Sequence, residues 1–364
     1  MEWKEDVLGN VLEVKYGKDH KKLADGQYPV YGSGGLMRYV DSILYDGPSI
    51  LIPRKGTLNN IMFVDSPFWT VDTMFWSIIN TDKVDPKFLF YSICKRDFAS
   101  MNVGSAVPSM TVNILNDIQI SYPKNISDQR RIASILSSLD QKIELNNKIN
   151  ADLEEMAQAI FKNWFVDFEP FKNGKFVDSE LGMIPEGWKV GSLGDFCNVF
   201  TGKKNTSQAI GKGLYPFFSC APEPLASNDA IFNGKAIIIA GNGSYTGRTS
   251  FYNGGFDLYQ RTYACTIREQ DKENLMIFFY HMMKQFFEPT KMGGTRGSSI
   301  PYIVMGDITQ QKFPYSKDWL IRFSNIANSM MDRKLRIDKE SSRLSLLRDT
   351  LLPRLMSGEI EIPE

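Results

Sequence analysis

Glycine-rich loops in both halves of this 364-residue sequence carry side chains that suit contacts with DNA. Lys and Arg neutralise phosphate charge, and Arg, Asn and Ser can read base edges. Solvated turns have a similar composition, so the recurrence of these loops in both halves is what favours a functional interpretation. The candidate DNA-binding residues are Lys18, Ser33, Arg54, Lys55, Asn59, Lys203, Lys204, Tyr245, Arg248, Lys291 and Arg296.

Two kinds of contact are expected from these side chains. Phosphate contacts are assigned to Lys18, Lys203, Lys204 and Lys291, and base-edge or groove contacts to Arg54, Lys55, Asn59, Arg248 and Arg296. We expect Arg248→Ala to relax the preference at one base position. Lys204→Ala should weaken binding to all DNA sequences about equally.

The residue sets that catalysis or metal binding would need are missing from the sequence. Two histidines, His20 and His281, leave little scope for acid–base chemistry or metal ligation. The loop 241–249 lacks the Lys of a phosphate-binding loop, and no N-P-P-Y/F methyltransferase motif occurs. No cysteine stands in a zinc-type C-x-x-C pair, and the scattered positions are typical of buried cytosolic thiols: Cys94, Cys197, Cys220 and Cys265. We therefore expect a non-catalytic, cytoplasmic chain that binds no metal or cofactor itself.

The elements that must position the loops occur twice along the chain. The segment WKEDVLGN at Trp3 recurs as WKVGSLGD at Trp188, 185 positions later. Three further matches follow in the same order, with offsets that stay between 187 and 194. They are 47–56 with 234–243, 104–109 with 297–302, and 132–143 with 326–335. The sequence therefore predicts two copies of one structural unit.

Each copy is predicted to end in a long helix. No Gly or Pro occurs from Ser127, a plausible N-cap, to about Phe165. Over about 38 residues, or about 57 Å, the seam residues alternate steps of four and three, which indicates coiled-coil pairing. The core face of one long helix is the alternative explanation. The seam consists of Ile132, Leu136, Leu139, Ile143, Asn146, Asn150, Leu153, Ala157, Ile160 and Trp164.

A second helix is predicted from about Phe323, and Pro353 is expected to stop or kink it. If the two helices pack against each other in antiparallel orientation, the seam of the first and the apolar stripe of the second are both buried. The stripe of the second helix consists of Ile326, Met330, Ile337, Leu344, Leu347 and Leu351.

These patterns predict an α/β (α+β) protein with two globular regions separated by the helix pair. The expected boundaries are 1–126 for the first region, 127–169 for the central helix, 170–187 for a linker, 188–322 for the second region and 323–364 for the C-terminal helix. Net charges by part are −1 for 1–126, −4 for 127–187, +5 for 188–322 and zero for 323–364. The overall neutrality is thus an average over a basic second region and an acidic spacer.

Several segments together resemble the DNA-specificity subunit of type I restriction–modification systems over essentially the full length. The two WK…LG openings look like the starts of its target-recognition domains, although here only Met1-Glu2 stands before Trp3. More specific matches are the central spacer 137–171, the linker 173–188 and the C-terminal region 347–360.

The resemblance implies a chain that does no chemistry and reads a split, asymmetric double-stranded DNA target, one half with each recognition domain. It implies that the helices set the gap between the halves and dock two modification (methyltransferase) subunits. S-adenosylmethionine would bind to those subunits, and ATP and magnesium to restriction (motor-nuclease) subunits. Docking contacts are expected from Arg130, Arg131, Lys142 and Lys148, for which a solvated helix face is the alternative.

Two other functions remain open at this point. Zero net charge and the aromatic content also suit a structural interaction protein whose two α/β heads bind polypeptide partners. A fused part of a restriction–modification enzyme would need the catalytic motifs that were not found. Measuring how DNA binding depends on salt concentration distinguishes the structural interaction protein from a DNA-reading subunit.

Overall fold

A computed structural model describes residues 1–101, 108–287, 301–360 and 362, and divides into two compact units. Unit 1 comprises Met1–Asn146 with Lys339–Glu364, and unit 2 comprises Asn147–Asp338. Each long helix therefore contributes one part to each unit. The mixed α/β fold class predicted from the sequence is confirmed.

Unit 1 contains short strands around a four-stranded sheet in the order β2-β8-β5-β6, beside a three-stranded sheet β4-β3-β7 and the pair β1-β9. Strand β5 is buried along its whole length, because its apolar run Ser49–Pro53 lies inside the sheet. The elements are β1 Trp3–Val7, β2 Leu12–Tyr16, β3 Asp25–Gly32, β4 Gly35–Val40, β5 Ser49–Pro53, β6 Met62–Val64, β7 Trp69–Thr70, β8 Met74–Ile79, α1 Pro86–Ile93, α2 Val112–Asn116 and β9 Gln119–Pro123.

Unit 2 is built on a six-stranded sheet in the order β13-β18-β16-β17-β14-β15, with β12 paired to β19. The elements are β10 Phe176–Val177, β11 Ile184–Pro185, β12 Lys189–Ser192, α4 Leu193–Phe196, β13 Cys197–Thr201, β14 Tyr215–Phe218, β15 Leu225–Ser227, β16 Phe232–Ala240, β17 Thr249–Leu258, β18 Thr262–Ile267, α5 Met276–Phe286, α6 Met305–Thr309 and β19 Lys312–Tyr315. Phe161, Phe165, Phe278 and Phe323 pack together in its core, with ring centroids 4.9 to 6.1 Å apart.

The internal repeat predicted from the sequence is confirmed by the strand pairing. The antiparallel pairs β1-β9 and β2-β8 of unit 1 recur as β12-β19 and β13-β18 in unit 2. The parallel contact between β3 and β7 recurs between β14 and β17. Residues 104–107 and 297–300 of one predicted match lie outside the described residues.

Two 40-residue helices, α3 (Ile126–Phe165) and α7 (Lys317–Met356), run through both units, each about 60 Å long. The predicted N-cap of α3 was wrong, because the side chain of Asn125 accepts a hydrogen bond from the Ser127 N–H at 2.9 Å. The predicted limits of α7 were also wrong. That helix starts six residues before Phe323 and continues past Pro353 for three residues, to Met356. Pro353 has no N–H to donate, so the helix lacks one backbone hydrogen bond there.

Within each unit the segments of the two helices are antiparallel. In unit 1, Arg348 donates to Asp140 at 2.7 Å and Asn146 donates to Glu340 at 2.9 Å. In unit 2, Asn150 donates to Asp338 at 2.6 Å and Lys334 donates to Glu154 at 2.7 Å. The residue number on one helix rises as its partner's falls, which is the pattern of an antiparallel pair.

The seam predicted on α3 lies on the inner face, whereas the stripe predicted on α7 was partly wrong. Half of the predicted seam residues are buried: Ile132, Leu136, Asn146, Asn150 and Ala157. The other half are partly buried: Leu139, Ile143, Leu153, Ile160 and Trp164. On α7, Leu344 and Leu351 are partly buried, but Leu347 is 47% exposed and Ile326 is 37% exposed.

The fully buried residues of α7 lie beside the predicted stripe, and three of them follow a predicted residue by one position. They are Leu320, Ala327, Met331, Leu352 and Leu355. Polar side chains such as Lys334 and Arg348 occupy the same face between them, because each is paired with an acid on α3. Apolar spacing alone therefore identified the inner face of α7 only in part. No helix within the described ranges is long and apolar enough to cross a membrane.

Candidate nucleic-acid interface

In unit 1 the loops that follow β2, β3 and β5 meet at one end of the sheets. Backbone hydrogen bonds join Lys18 to Thr70 and Arg54 to Thr73, at 2.9 and 2.8 Å. The guanidinium of Arg54 lies 5.3 Å from the centre of the Tyr16 ring, a cation–π contact. A side chain on Gly56 would come within 3.0 Å of the Ser33 hydroxyl, so the β3 and β5 loops touch.

The loop after β5 and its counterpart after β16 are held in the same way in both units. In unit 1, Met110 N–H donates to the Arg54 carbonyl at 2.9 Å, and Gly56 N–H donates to Pro108 at 3.4 Å. In unit 2 the matching bonds run from Ile303 to Gly241 at 2.8 Å and from Gly243 to Pro301 at 3.3 Å.

Glycine is required in both loops, because Gly56 and Gly243 have φ values of 87° and 85° in the left-handed region. Lys55 and Asn242 precede them, and each forms an isolated β-bridge, to Ser109 and Tyr302 respectively. These two residues therefore occupy equivalent positions in the two units. Asn242 was not among the candidates, although the repeat match of 47–56 with 234–243 already places it opposite Lys55.

Several predicted cations point outward and are not used within the fold. Lys18, Lys55 and Lys203 are exposed, and none of them forms an ion pair with another residue in the described part of the chain. The ring of Tyr245, in the loop after β16, is 46% exposed. Lys291 and Arg296 lie outside the described residues.

Lys204 has a different environment from its neighbour Lys203. Its ammonium group donates to Asp257 at 2.6 Å, to Asp229 at 2.7 Å and to the Ser227 hydroxyl at 3.3 Å. The hydrogen bonds to Asp229 and Asp257 raise the pKa of Lys204. Burial favours a higher pKa for Asp257, but the bonds from Lys204 and Ser227 outweigh it and lower the pKa. The Lys204 charge is thus balanced inside unit 2.

Arg248 joins two loops of unit 2. Its guanidinium donates to the backbone carbonyls of Pro222, at 2.7 Å, and of Ala221. Burial lowers its pKa from the usual value. The thiol of Cys220 in the same loop donates to the Asn242 side chain at 3.0 Å. The loop 219–223 was not predicted to be functional, because carbonyl partners of an arginine cannot be identified from sequence.

The side chain of Asn59 is engaged within unit 1. Its oxygen accepts the Ala99 N–H at 2.9 Å, and its amide donates to Asp97 at 3.2 Å. The neighbouring Asn60 donates to the Ser33 carbonyl at 2.8 Å, which links the loops after β3 and β5. Sequence reasoning missed this role of Asn60.

The four predicted docking cations lie on α3. Arg130 lies 3.7 Å from Asp85, Arg131 lies 2.6 Å from Asp128, and Lys142 lies 3.6 Å from Glu340. Lys148 is exposed. The three measured pairs are at least partly solvated, so each contributes little to stability.

Comparison with known proteins relates most of the chain to one family. The family model described as the type I restriction modification DNA specificity domain matches residues 1–155 and 185–317. A type I restriction enzyme specificity subunit of Methanocaldococcus jannaschii, MjaIX, is 27% identical over 94% of this chain and 86% of its own length. The HindI specificity subunit of Haemophilus influenzae is 23% identical over 82% and 83%.

A solved structure shares the fold. The type I restriction–modification S subunit from M. genitalium matches 97% of this chain and 96% of its own, with a TM-score of 0.64 and 17% sequence identity. At that identity the likeness shows the fold alone. The two matched ranges of the family model cover well over half of the sequence, one in each copy of the repeat. The chain therefore belongs to the family of type I restriction–modification DNA specificity proteins.

Proposed function

We propose that this chain selects the DNA target of a type I restriction–modification complex, with each unit reading one half of a split, asymmetric sequence. The observation that carries this proposal is the equivalent pair of loops after β5 and β16. Both are held by the same two backbone hydrogen bonds, and both present polar side chains at matching positions, Lys55 and Asn242. A fixed loop backbone reduces the entropy lost when side chains bind base edges.

The exposed lysines supply the contacts that do not depend on sequence. Lys18 and Lys203 occupy equivalent places after β2 and β13, next to glycines that pack against backbone carbonyls. In unit 1 the backbone of Lys18 bonds to Thr70, and that of Arg54 in the base-reading loop bonds to Thr73, three residues further along. Phosphate contacts of this kind fix the position of a protein on DNA, and base contacts then select the sequence.

In this proposal the chemistry is done by partner subunits. Two modification subunits would bring S-adenosylmethionine and methylate adenine, and restriction subunits would use ATP and magnesium. The chain itself would bind none of these cofactors. Its relatives are named specificity subunits, which supports a recognition role without catalysis.

The outer faces of the helices suit such docking. In unit 1, Leu346 is 70% exposed, next to Leu347, and Leu145 is also exposed. In unit 2, Met156 and Leu335 are exposed. Exposed apolar side chains on a helix favour packing against a partner helix. They are stronger candidates for docking contacts than four cations of α3, because solvated ion pairs contribute little. These cations are Arg130, Arg131, Lys142 and Lys148.

Salt-dependent DNA binding tests the recognition role directly. We expect the logarithm of the binding constant to fall linearly with the logarithm of salt concentration, with a slope of about −0.9 for each phosphate contact. Lys18→Ala and Lys203→Ala should each reduce that slope by about 1. Little change in binding between low and moderate salt would instead support a protein whose two heads bind polypeptides.

A further inference from the structure

A Tyr-x-x-x-Lys pair occurs at equivalent places in the two copies. Phe90-Tyr91 and Lys95 in unit 1 match Phe279-Tyr280 and Lys284 in unit 2, each 189 positions apart. This offset lies within the 185-to-194 range of the repeat. Tyr280 and Lys284 both lie on α5, where a spacing of four places them on one helix face. Tyr91 lies in the last turn of α1, and Lys95 follows two residues after that helix ends at Ile93.

In unit 2 this pair meets a carboxylate on the first long helix. Glu154 accepts from the Tyr280 hydroxyl at 2.7 Å, from Lys284 at 2.8 Å and from Lys334 on α7 at 2.7 Å. Burial favours a higher pKa for Glu154, but the bonds from the two lysines lower it to about 2. One carboxylate, whose side chain is 16% exposed, thus ties α5 of the recognition region to both long helices.

Unit 1 has the same arrangement with different residues. Asp140 on α3 accepts from the Tyr91 hydroxyl at 2.6 Å and from Arg348 on α7 at 2.7 Å. Lys95 lies 3.3 Å from Asp349, which also pairs with Arg348 at 3.0 Å. In both units a tyrosine of the recognition region and a base of α7 share one acid of α3.

Such a cluster is poorly explained as a source of stability. Taking charges out of water costs several kcal/mol, and well-packed apolar residues stabilise a fold as well or better. Apolar contacts tolerate small shifts between elements, whereas charged hydrogen bonds demand one geometry. The cluster therefore suits the task of holding the recognition region at one position on the helices.

We propose that Tyr91 with Lys95, and Tyr280 with Lys284, are positioning residues that fix each set of reading loops relative to its own stretch of the helix pair. In this way they determine which gap between the two half-targets the complex accepts. This inference rests on the function proposed above. The residues touch no DNA; they act through Glu154, Asp140 and Asp349.

Methylation by the reconstituted complex tests the inference, with targets whose gap is natural, one base pair longer or one base pair shorter. We expect Tyr280→Phe/Lys284→Met to leave methylation of the natural target within twofold. Its discrimination against the altered gaps should fall about tenfold, the equivalent of one charged hydrogen bond. Lys284→Arg should restore discrimination. Lys312→Met, which removes an exposed lysine paired with Glu180, should leave it unchanged.

The outcomes separate the two proposals. If the wild-type complex shows no target preference, the proposed function is wrong. If it shows one, and the folded double variant discriminates between gaps as well as wild type, the positioning role is wrong. Should the double variant fail to fold, Tyr280→Phe alone decides the question, because it removes only one hydroxyl; unchanged gap discrimination would overturn the inference.

Discussion

Lys203 and Lys204 are adjacent in sequence but differ in what surrounds them. Lys203 is exposed, whereas Lys204 neutralises Asp257, whose side chain is only 5% exposed. Lys204→Ala would leave that carboxylate buried without its partner. We therefore expect it to lower the free energy of unfolding by about 2 kcal/mol. A phosphate contact of Lys204 stays a prediction, which the DNA affinity of the same variant would test.

Lys203→Ala is the matched control for this change. It should leave the midpoint of urea unfolding unchanged while weakening DNA binding to all sequences. The assignment of roles would be contradicted if the two variants exchanged effects, with Lys204→Ala stable and defective only in DNA binding.

Arg248 shows how far the site could be predicted from sequence. A glycine loop with an arginine was identified correctly as a feature of both copies, because turn signals are local. The partners of that arginine are carbonyls of residues 26 and 27 positions away, and no local pattern encodes them. Arg248→Ala should therefore loosen the 219–223 loop rather than relax a single base position.

His281 makes the stability of unit 2 depend on pH. Burial lowers its pKa to about 4; Glu154 opposes the shift, while Lys284 and Lys334 assist it. The unfolded chain therefore takes up a proton that the folded chain does not. The contribution of His281 to the free energy of unfolding is complete above about pH 6.5 and decreases as the pH falls towards 4. At pH 5 the free energy of unfolding is lower by about 2 kcal/mol.

Urea unfolding at pH 7.5 and pH 5 checks this dependence. The His281→Asn variant should have a lower free energy of unfolding than wild type at pH 7.5, because packing against Phe323 is lost. Between pH 7.5 and pH 5 its free energy of unfolding should fall less than that of wild type. His20→Asn is the control and should retain the wild-type difference. An equal loss on acidification in wild type and His281→Asn would contradict the assignment.

The long helices and the inner face of α3 could be predicted because their signals are local, whereas the inner face of α7 was predicted only in part. The run without Gly or Pro, with apolar residues spaced alternately by three and four, predicts α3 from sequence. On α7 the inner face carries Lys334 and Arg348, whose burial depends on acids elsewhere in the chain. The apolar residues Leu346 and Leu347 lie outside that face, so a stripe drawn from apolar spacing alone is displaced towards exposed residues. The paired polar residues thus explain why the stripe on α7 was predicted only in part.

Two leucines on α7 test the corrected face. Leu352 is buried in the core of unit 1, whereas Leu347 is exposed. We expect Leu352→Ala to lower the free energy of unfolding by about 3 kcal/mol. Leu347→Ala should change it by less than about 0.5 kcal/mol in the isolated chain but weaken assembly with the modification subunit. Similar destabilisation by both changes would show that the face is wrongly assigned.

At the scale of the whole molecule, the charge balance of 42 basic and 42 acidic residues fits a reader of sequence. A strongly basic chain binds any DNA tightly, which reduces the ratio of specific to non-specific binding. In the described part of the chain, exposed lysines such as Lys18, Lys55 and Lys203 lie in the loops of both units. Because the two copies are separate compact units, changes in one should alter only its own half of the target.

Mapping of methylated adenines across a genome tests the central claim most directly. The chain is expressed with its modification subunits, and the map is compared with that of cells lacking the chain. The account predicts methylation at one split sequence with one fixed gap. Lys55→Ala should then change the preference in one half, and Tyr245→Ala the preference in the other. A complex that assembles and methylates adenine without sequence preference would contradict the account.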